Sequence, residues 1–234
     1  MDKLAALIQT LQISRVQPHF NEDADFHVMK AADGFVLKSG ANPSLPVAAS
    51  IVLRGRGAVA PLMASVGCFE MHIPNDHALH PLLALFVGEI SAPRCGQDSL
   101  LAGYAQVLIV HFLRAALETG TVDKGVWAAL SDARLSRALT QVHLRPGRAW
   151  STEDLAQEAG MSRSVFMAQF REVMGEAPIT YLRSFRIARA REALEEGGRI
   201  AVVARTFGYS SSDAFSRAFR RSQGIAPSEL RRGP

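Results

Sequence analysis

The residues with the most to offer chemically are arginines, and they are unevenly placed. After residue 132 the sequence holds 17 arginines, no lysine and 10 acidic residues; residues 1–132 hold 9 basic and 12 acidic ones. A balance of +7 against −3 points to an anionic partner for the C-terminal part. The planar guanidinium fork donates two parallel hydrogen bonds, a geometry that phosphates accept, although a plainly solvated basic face has the same composition. Histidines raise a second chemistry. His19, His27, His72, His77 and His80 include no H-x-H spacing, and no acidic residue completes a ligand set. His77 and His80 stand at i, i+3 beside Pro81, which limits a helix there. Surface or core histidines are the ordinary reading, and neither a metal nor a cofactor is expected. Cys68 and Cys95 are flanked by turn residues, with Arg94 next to Cys95, so a redox pair competes with two inert thiols. No convergent acid–base set for catalysis is found, and an enzyme is not expected.

These groups need elements to hold them, and 234 residues suffice for one large domain or two small ones. Leu4, Leu7, Ile8 and Leu11 fall on one face of a short helix. From about residue 13 to 95, apolar pieces at 26–29, 35–37, 48–53 and 65–73 alternate with turn signals at Asp33-Gly34, Ser39-Gly40, Asn42-Pro43, 55–57 and Pro74-Asn75. That spacing predicts small antiparallel strands. Residues 98–117 predict a helix with Leu101, Tyr104, Leu108, Phe112 and Ala115 in one stripe, widened by Leu100, Val107, Ile109 and Leu113. A helix so broadly apolar is expected to be buried on two sides, one against the sheet and one against a second copy of the chain. Residues 119–125 read as a linker, and everything beyond reads as helix. Asp132 can cap a helix carrying Leu135, Leu139 and Val142, stopped by Pro146-Gly147. Ser151 can cap the next, with Glu153 and Asp154 in its first turn and Trp150 stapled onto Leu155.

An internal repeat carries the most information. Ala156 and Gly160 recur as Ala204 and Gly208 at an offset of 48, while Phe166, Phe170, Gly175 and Pro178 recur as Phe215, Phe219, Gly224 and Pro227 at 49. One residue is inserted in the turn of the second copy. Each element has a purpose in a helix-turn-helix. The alanine lets two helices approach, and the glycine ends the first helix in the left-handed region. Ser162, or Ser210 or Ser211, caps the second helix. The phenylalanines at i, i+4 fasten that helix to the core and leave its other face free. Residues 179–196 form a helical connector between the copies and end at Gly197-Gly198. A two-copy solenoid is the competing reading, but two copies bury too little core.

Residues from about 128 to 234 resemble the DNA-binding domain of the AraC/XylS family of bacterial transcription regulators. Ala204, Phe207-Gly208-Tyr209-Ser210, Phe215-Ser216-Arg217-Ala218-Phe219, Gly224-Ile225-Ala226-Pro227-Ser228 and Leu230-Arg231 fit that family's signature. The resemblance implies seven helices, with two recognition helices in successive major grooves of double-stranded DNA. Carried over position by position, the first spans 162–173 and presents Arg163, Ser164, Met167 and Ala168 to base edges. The second spans 211–222 and presents Ser212, Asp213, Ser216 and Arg217. Arg217 suits guanine O6/N7, Asp213 suits cytosine N4, and Met167 with Ala168 suits thymine methyls. Arg171, Arg220 and Arg221 are the expected phosphate contacts, which position without specifying. For Arg217 a backbone contact or a salt bridge within the domain stays open, as does simple capping for the serines.

Residues 66–90, with His80-Pro81-Leu82-Leu83, and the helix at 98–117 resemble AraC-type regulators with a cupin-like sensor, here shortened. The implied class is α+β. Residues 1–120 would form a small cupin-like β-sandwich with helices, and 126–234 an all-α domain with two helix-turn-helix units. The expected protein is a one-component regulator and homodimer that binds a promoter and contacts RNA polymerase, with or without a small-molecule effector. A redox-sensing regulator using Cys68 and Cys95, and a cupin-type metalloenzyme fused to a DNA-binding domain, are the alternatives. With no run of 18 apolar residues and no signal-type N-terminus, membrane insertion and export are not expected, and the reading is cytoplasmic.

Overall fold

The computed structural model describes residues 12–40, 43–54, 69–92, 94–119 and 124–230. These divide into two compact units, 12–119 and 124–230. The helix expected at 4–11, the turn at 55–57, Cys68, most of the linker and Arg231 lie outside the described residues.

In the N-terminal unit the apolar pieces become strands: β1 (Gln12–Gln17), β2 (Phe26–Ala31), β3 (Gly34–Ser39), β4 (Val47–Arg54) and β5 (Glu70–Pro74). They form one antiparallel sheet in the order β1-β4-β2-β3-β5. Gly34 closes the β2–β3 hairpin, where a Cβ would stand 2.2 Å from the Ile73 carbonyl oxygen, so β5 can pair there only because no side chain intervenes. Among the described residues the strands make a single sheet, and the layer packed on it is helical. That layer is α1 (His80–Ser91) and α2 (Gln97–Glu118). Pro81 opens α1 rather than limiting it, which corrects the sequence expectation. A proline in the first turn forgoes only an N–H that would have had no partner.

The buried stripe of α2 is Leu101, Ala105, Leu108, Ile109, Phe112 and Leu113. Phe112 meets Phe26 and Phe69 edge-on at centroid distances of 5.1 and 5.0 Å. Residues 97–116 are long and apolar enough by themselves to cross a bilayer, yet this face of α2 is packed on the sheet. Leu100 and Val107, on the same helix, are each 45% exposed.

The C-terminal unit contains seven helices among the described residues, the number the resemblance implies. They are α3 (Val126–Ser131), α4 (Leu135–Leu144), α5 (Thr152–Ala159), α6 (Arg163–Met174), α7 (Pro178–Glu195), α8 (Ile200–Thr206) and α9 (Ser212–Gln223). α7 is the spine, and its sequence carries two apolar stripes instead of one. Tyr181, Phe185, Ala188 and Glu192 recur at helical spacing on one side, and Ile187, Ala190 and Leu194 on another; all are buried. The first stripe meets the aromatic residues of the α5–α6 pair: Phe170 lies 6.1 Å from Tyr181. The second joins Val203, Ala204, Phe207, Phe215 and Phe219 of the α8–α9 pair in a single cluster.

Candidate nucleic-acid interface

The second helix of each helix-turn-helix unit is positioned by local rules that its sequence obeys. Ser151 and Asp154 form a reciprocal capping box at the start of α5. The Ser151 hydroxyl accepts from the Asp154 N–H at 3.0 Å, and the Asp154 carboxylate accepts from the Ser151 N–H at 2.8 Å. The Ser151 hydroxyl also donates to the Asp154 carboxylate at 2.5 Å, and this bond, together with that from the Ser151 N–H, holds the Asp154 carboxyl below its ordinary range. Gly160, at φ +66°, ends α5, and Ser162 caps α6 by accepting from the Val165 N–H at 3.4 Å. In the second copy Gly208 stands at φ +79°, and Ser211 rather than Ser210 caps α9, accepting from the Ala214 N–H at 3.1 Å. The inserted residue is therefore taken up in the turn between Gly208 and Ser211. Phe166–Phe170 and Phe215–Phe219 repeat the same packing, each pair with centroids 5.5 Å apart and both rings buried.

With one face so anchored, the opposite face of each helix is open. On α6, Arg163, Ser164, Ala168 and Arg171 are exposed and Met167 is half-buried. On α9, Asp213, Arg217, Arg220 and Arg221 are exposed, while Ser212 and Ser216 are half-buried. None of the five arginines on these two helices forms an ion pair among the described residues. The Ser216 hydroxyl donates to the Ser212 carbonyl at 2.7 Å, so its proton is turned into the helix and an acceptor lone pair is left outward. Val165, 49% exposed, adds an apolar side chain to the open surface of α6.

Other arginines of this unit are engaged internally. Arg137 donates to the Ala159 carbonyl at 2.7 Å, and Arg134 donates to Gln169 at 3.2 Å, which in turn donates to Asp132 at 2.6 Å. Asp132 also accepts from the Arg134 and Leu135 N–H groups at the start of α4, as its position in the sequence suggested. Arg186 donates to backbone carbonyls about forty positions earlier, at Pro146 and Arg148. No sequence pattern marks such a residue, because its partners are peptide groups.

Among the described residues, the histidines and Cys95 of the N-terminal unit assemble no comparable site. Among the described residues no group of three His, Cys, Asp or Glu side chains is placed to hold a metal. His27 bonds to Ser50 at 3.0 Å, His72 faces Asp33 at 3.1 Å, His77 accepts from the Leu79 N–H, and His80 packs on the Phe35 ring. Cys95 is exposed, and its expected partner Cys68 lies outside the described residues.

Two helix-turn-helix units sharing one central helix define the class of this domain. Residues 155–233 match a helix-turn-helix domain family. The chain is 39% identical over 170 residues to a Streptomyces lividans protein named an AraC-like transcription regulator, covering 70% of this chain and 56% of that one. It is 36% identical over 163 residues to a Streptomyces antibioticus protein of the same name, covering 69% and 54%. A solved DNA-binding domain of AdpA in complex with a target DNA is 30% identical, with 43% of this chain and 91% of that one covered at a TM-score of 0.39. The C-terminal unit belongs to the AraC-type helix-turn-helix domains. The chain spans about half the length of the curated relatives it matches.

Proposed function

We propose that this chain is a sequence-specific DNA-binding transcription regulator of the AraC family, docking α6 and α9 into adjacent major grooves of double-stranded DNA. The observation that carries this reading is the duplication itself. Two copies of one helix-turn-helix, on a common spine, each turn unpaired arginines outward. In this reading Arg163, Ser164, Met167, Ala168, Ser212, Asp213, Ser216 and Arg217 face base edges, and Arg171, Arg220 and Arg221 face phosphates. Residues 126–234 bind the promoter and act on RNA polymerase there. Residues 1–120 bring two chains together and receive an effector. The exposed Leu85, Leu100 and Val107 on α1 and α2 favour the pairing role.

The test is fluorescence anisotropy of the full chain against its own upstream DNA and a scrambled duplex across a salt series. Preference for the upstream fragment, with affinity falling steeply as salt rises, is the expected result. No binding at low salt would remove the reading. Equal binding to both duplexes would keep a DNA-binding module and remove the sequence-specific regulator.

A further inference from the structure

Resting on the DNA-binding reading above, we propose that Arg186 and a backbone contact between Gly147 and Gly208 lock the two recognition helices at one separation and rotation. The chain then accepts its two half-sites at a single spacing.

The need for such a lock follows from how α7 is joined to each unit. At its start the chain leaves α6 through Gly175, at φ +76°, and at its end it passes to α8 through Gly197, at φ +89°. Turns made at left-handed glycines at opposite ends of an 18-residue helix do not by themselves fix rotation about it, so the two buried stripes of α7 and any further contact between the units must do so. On a lever of about 34 Å, the distance between adjacent grooves, a swing of about 10° displaces a reading helix by about 6 Å, nearly two base-pair steps. α7 therefore cannot set the register by its length alone.

A third connection closes the loop. The segment between α4 and α5 lies against the α8–α9 turn so closely that side chains are excluded from both. A Cβ on Gly147 would stand 2.1 Å from the Thr206 carbonyl oxygen, and a Cβ on Gly208 would stand 2.5 Å from the Gly147 carbonyl oxygen. From the middle of α7, Arg186 fastens this contact. Its Nε donates to the Pro146 carbonyl and an Nη to the Arg148 carbonyl, both at 2.6 Å. One planar fork thus holds both sides of Gly147 while the other copy's turn glycine rests on it.

The segment so held is itself stiff. The Arg148 guanidinium lies 4.0 Å over the Trp150 ring, the Trp150 Nε1 donates to the Arg145 carbonyl at 2.9 Å, and Ser151 begins the capping box of α5. Gly208 stands three residues before the Ser211 cap of α9. Movement at the junction is accordingly transmitted to the start of each helix-turn-helix.

The experiment measures spacing tolerance. A site selected by the intact full-length chain from random duplexes is remade with one or two base pairs inserted or deleted between its halves. The intact chain is expected to lose tenfold or more in affinity for each shift. Arg186→Met, which removes the fork, and Gly147→Ala, which wedges the contact, are expected to bind an isolated half-site within threefold of the intact chain. They should lose less than threefold on the shifted sites. Arg186→Lys, which keeps the charge but cannot span both carbonyls, stands in if Arg186→Met does not fold. Retention of the full spacing penalty by these variants overturns the proposal, as does a uniform loss on every duplex. If the intact chain selects no DNA, the DNA-binding reading fails on its own, and a measurement without DNA decides the lock. Nitroxides at Glu172→Cys and Asp213→Cys, in a Cys68→Ser/Cys95→Ser background, should give a narrow distance distribution that broadens at least twofold with Arg186→Met or Gly147→Ala. An unchanged width overturns the lock whatever binds the chain.

Discussion

Where the first helix-turn-helix unit meets the spine, α7 presents Tyr181, Phe185, Ala188 and Glu192; where the second meets it, the helix presents Ile187, Ala190 and Leu194. All four buried polar residues described in 124–230, Ser136, Thr140, His143 and Glu192, lie on α4 or on the first of these stripes. His143 donates to or accepts from the Tyr181 hydroxyl at 2.6 Å and stacks on Phe185 at 4.5 Å. The second core gathers aliphatic and phenylalanine side chains instead. One sequence plan, repeated, has thus been seated by two kinds of packing. Hydrogen bonds with fixed directions specify the first, whereas shape and area specify the second.

The largest effect tests what the two units share. Phe166 and Phe215 are fully buried at matching positions. Phe166→Ala and Phe215→Ala should each cost about 3–5 kcal/mol in urea unfolding, through lost transfer energy and a residual cavity. A loss near 1 kcal/mol for only one of them would show that the two cores are not equivalent.

Acid tests what they do not share. Burial and the Arg189 charge hold the His143 imidazole down at about 4. The unfolded chain therefore takes up that proton first, and the stability His143 contributes is present above its ordinary 6.5 and lost as pH falls toward 4. Burial pushes the Glu192 carboxyl up to about 7, only partly offset by its bond to Arg189. Its contribution has the opposite sign, present below its ordinary value and lost as pH rises toward 7. Between these limits the two groups flatten each other's pH dependence. Glu192→Gln should remove this opposing contribution, so that unfolding free energy climbs more steeply from pH 4 to 6.5 than in the intact chain, with His143 contributing on the order of 3 kcal/mol to the rise. A flat profile in that variant would take His143 out of this role.

What could be read from the chain and what could not divides along the same physical line. Ala156, Gly160, Phe166 and their counterparts announce helix, turn and helix because those constraints are local, and the capping serines follow. The strand at 12–17 carries no such mark, since Ile13 and Val16 do not alternate and a bulge interrupts its pairing with β4. The arginines on α6 and α9 were legible as an exposed face from their spacing opposite the phenylalanines. Arg186 was not, because a guanidinium bound to carbonyls 38 and 40 residues away has no signature in sequence.

The smallest effect asks which copy reads DNA by charge. The α9 face offers Arg217 beside Asp213, both exposed, while the α6 face places Met167, Ala168 and the exposed Val165 next to Arg163. A guanidinium donating to guanine O6 and N7 discriminates through two directed bonds, whereas methyl contact with thymine is softer and nearly blind to salt. Arg217→Ala should therefore cost about 1–3 kcal/mol on the preferred duplex and little on a scrambled one, relaxing sequence preference at a single base pair. Arg220→Ala should weaken both duplexes alike and lower the salt slope by about one. Met167→Ala should cost less than either and leave the slope unchanged. If Arg217→Ala instead behaves like Arg220→Ala, the second helix holds phosphates only, and readout passes to the apolar face of α6.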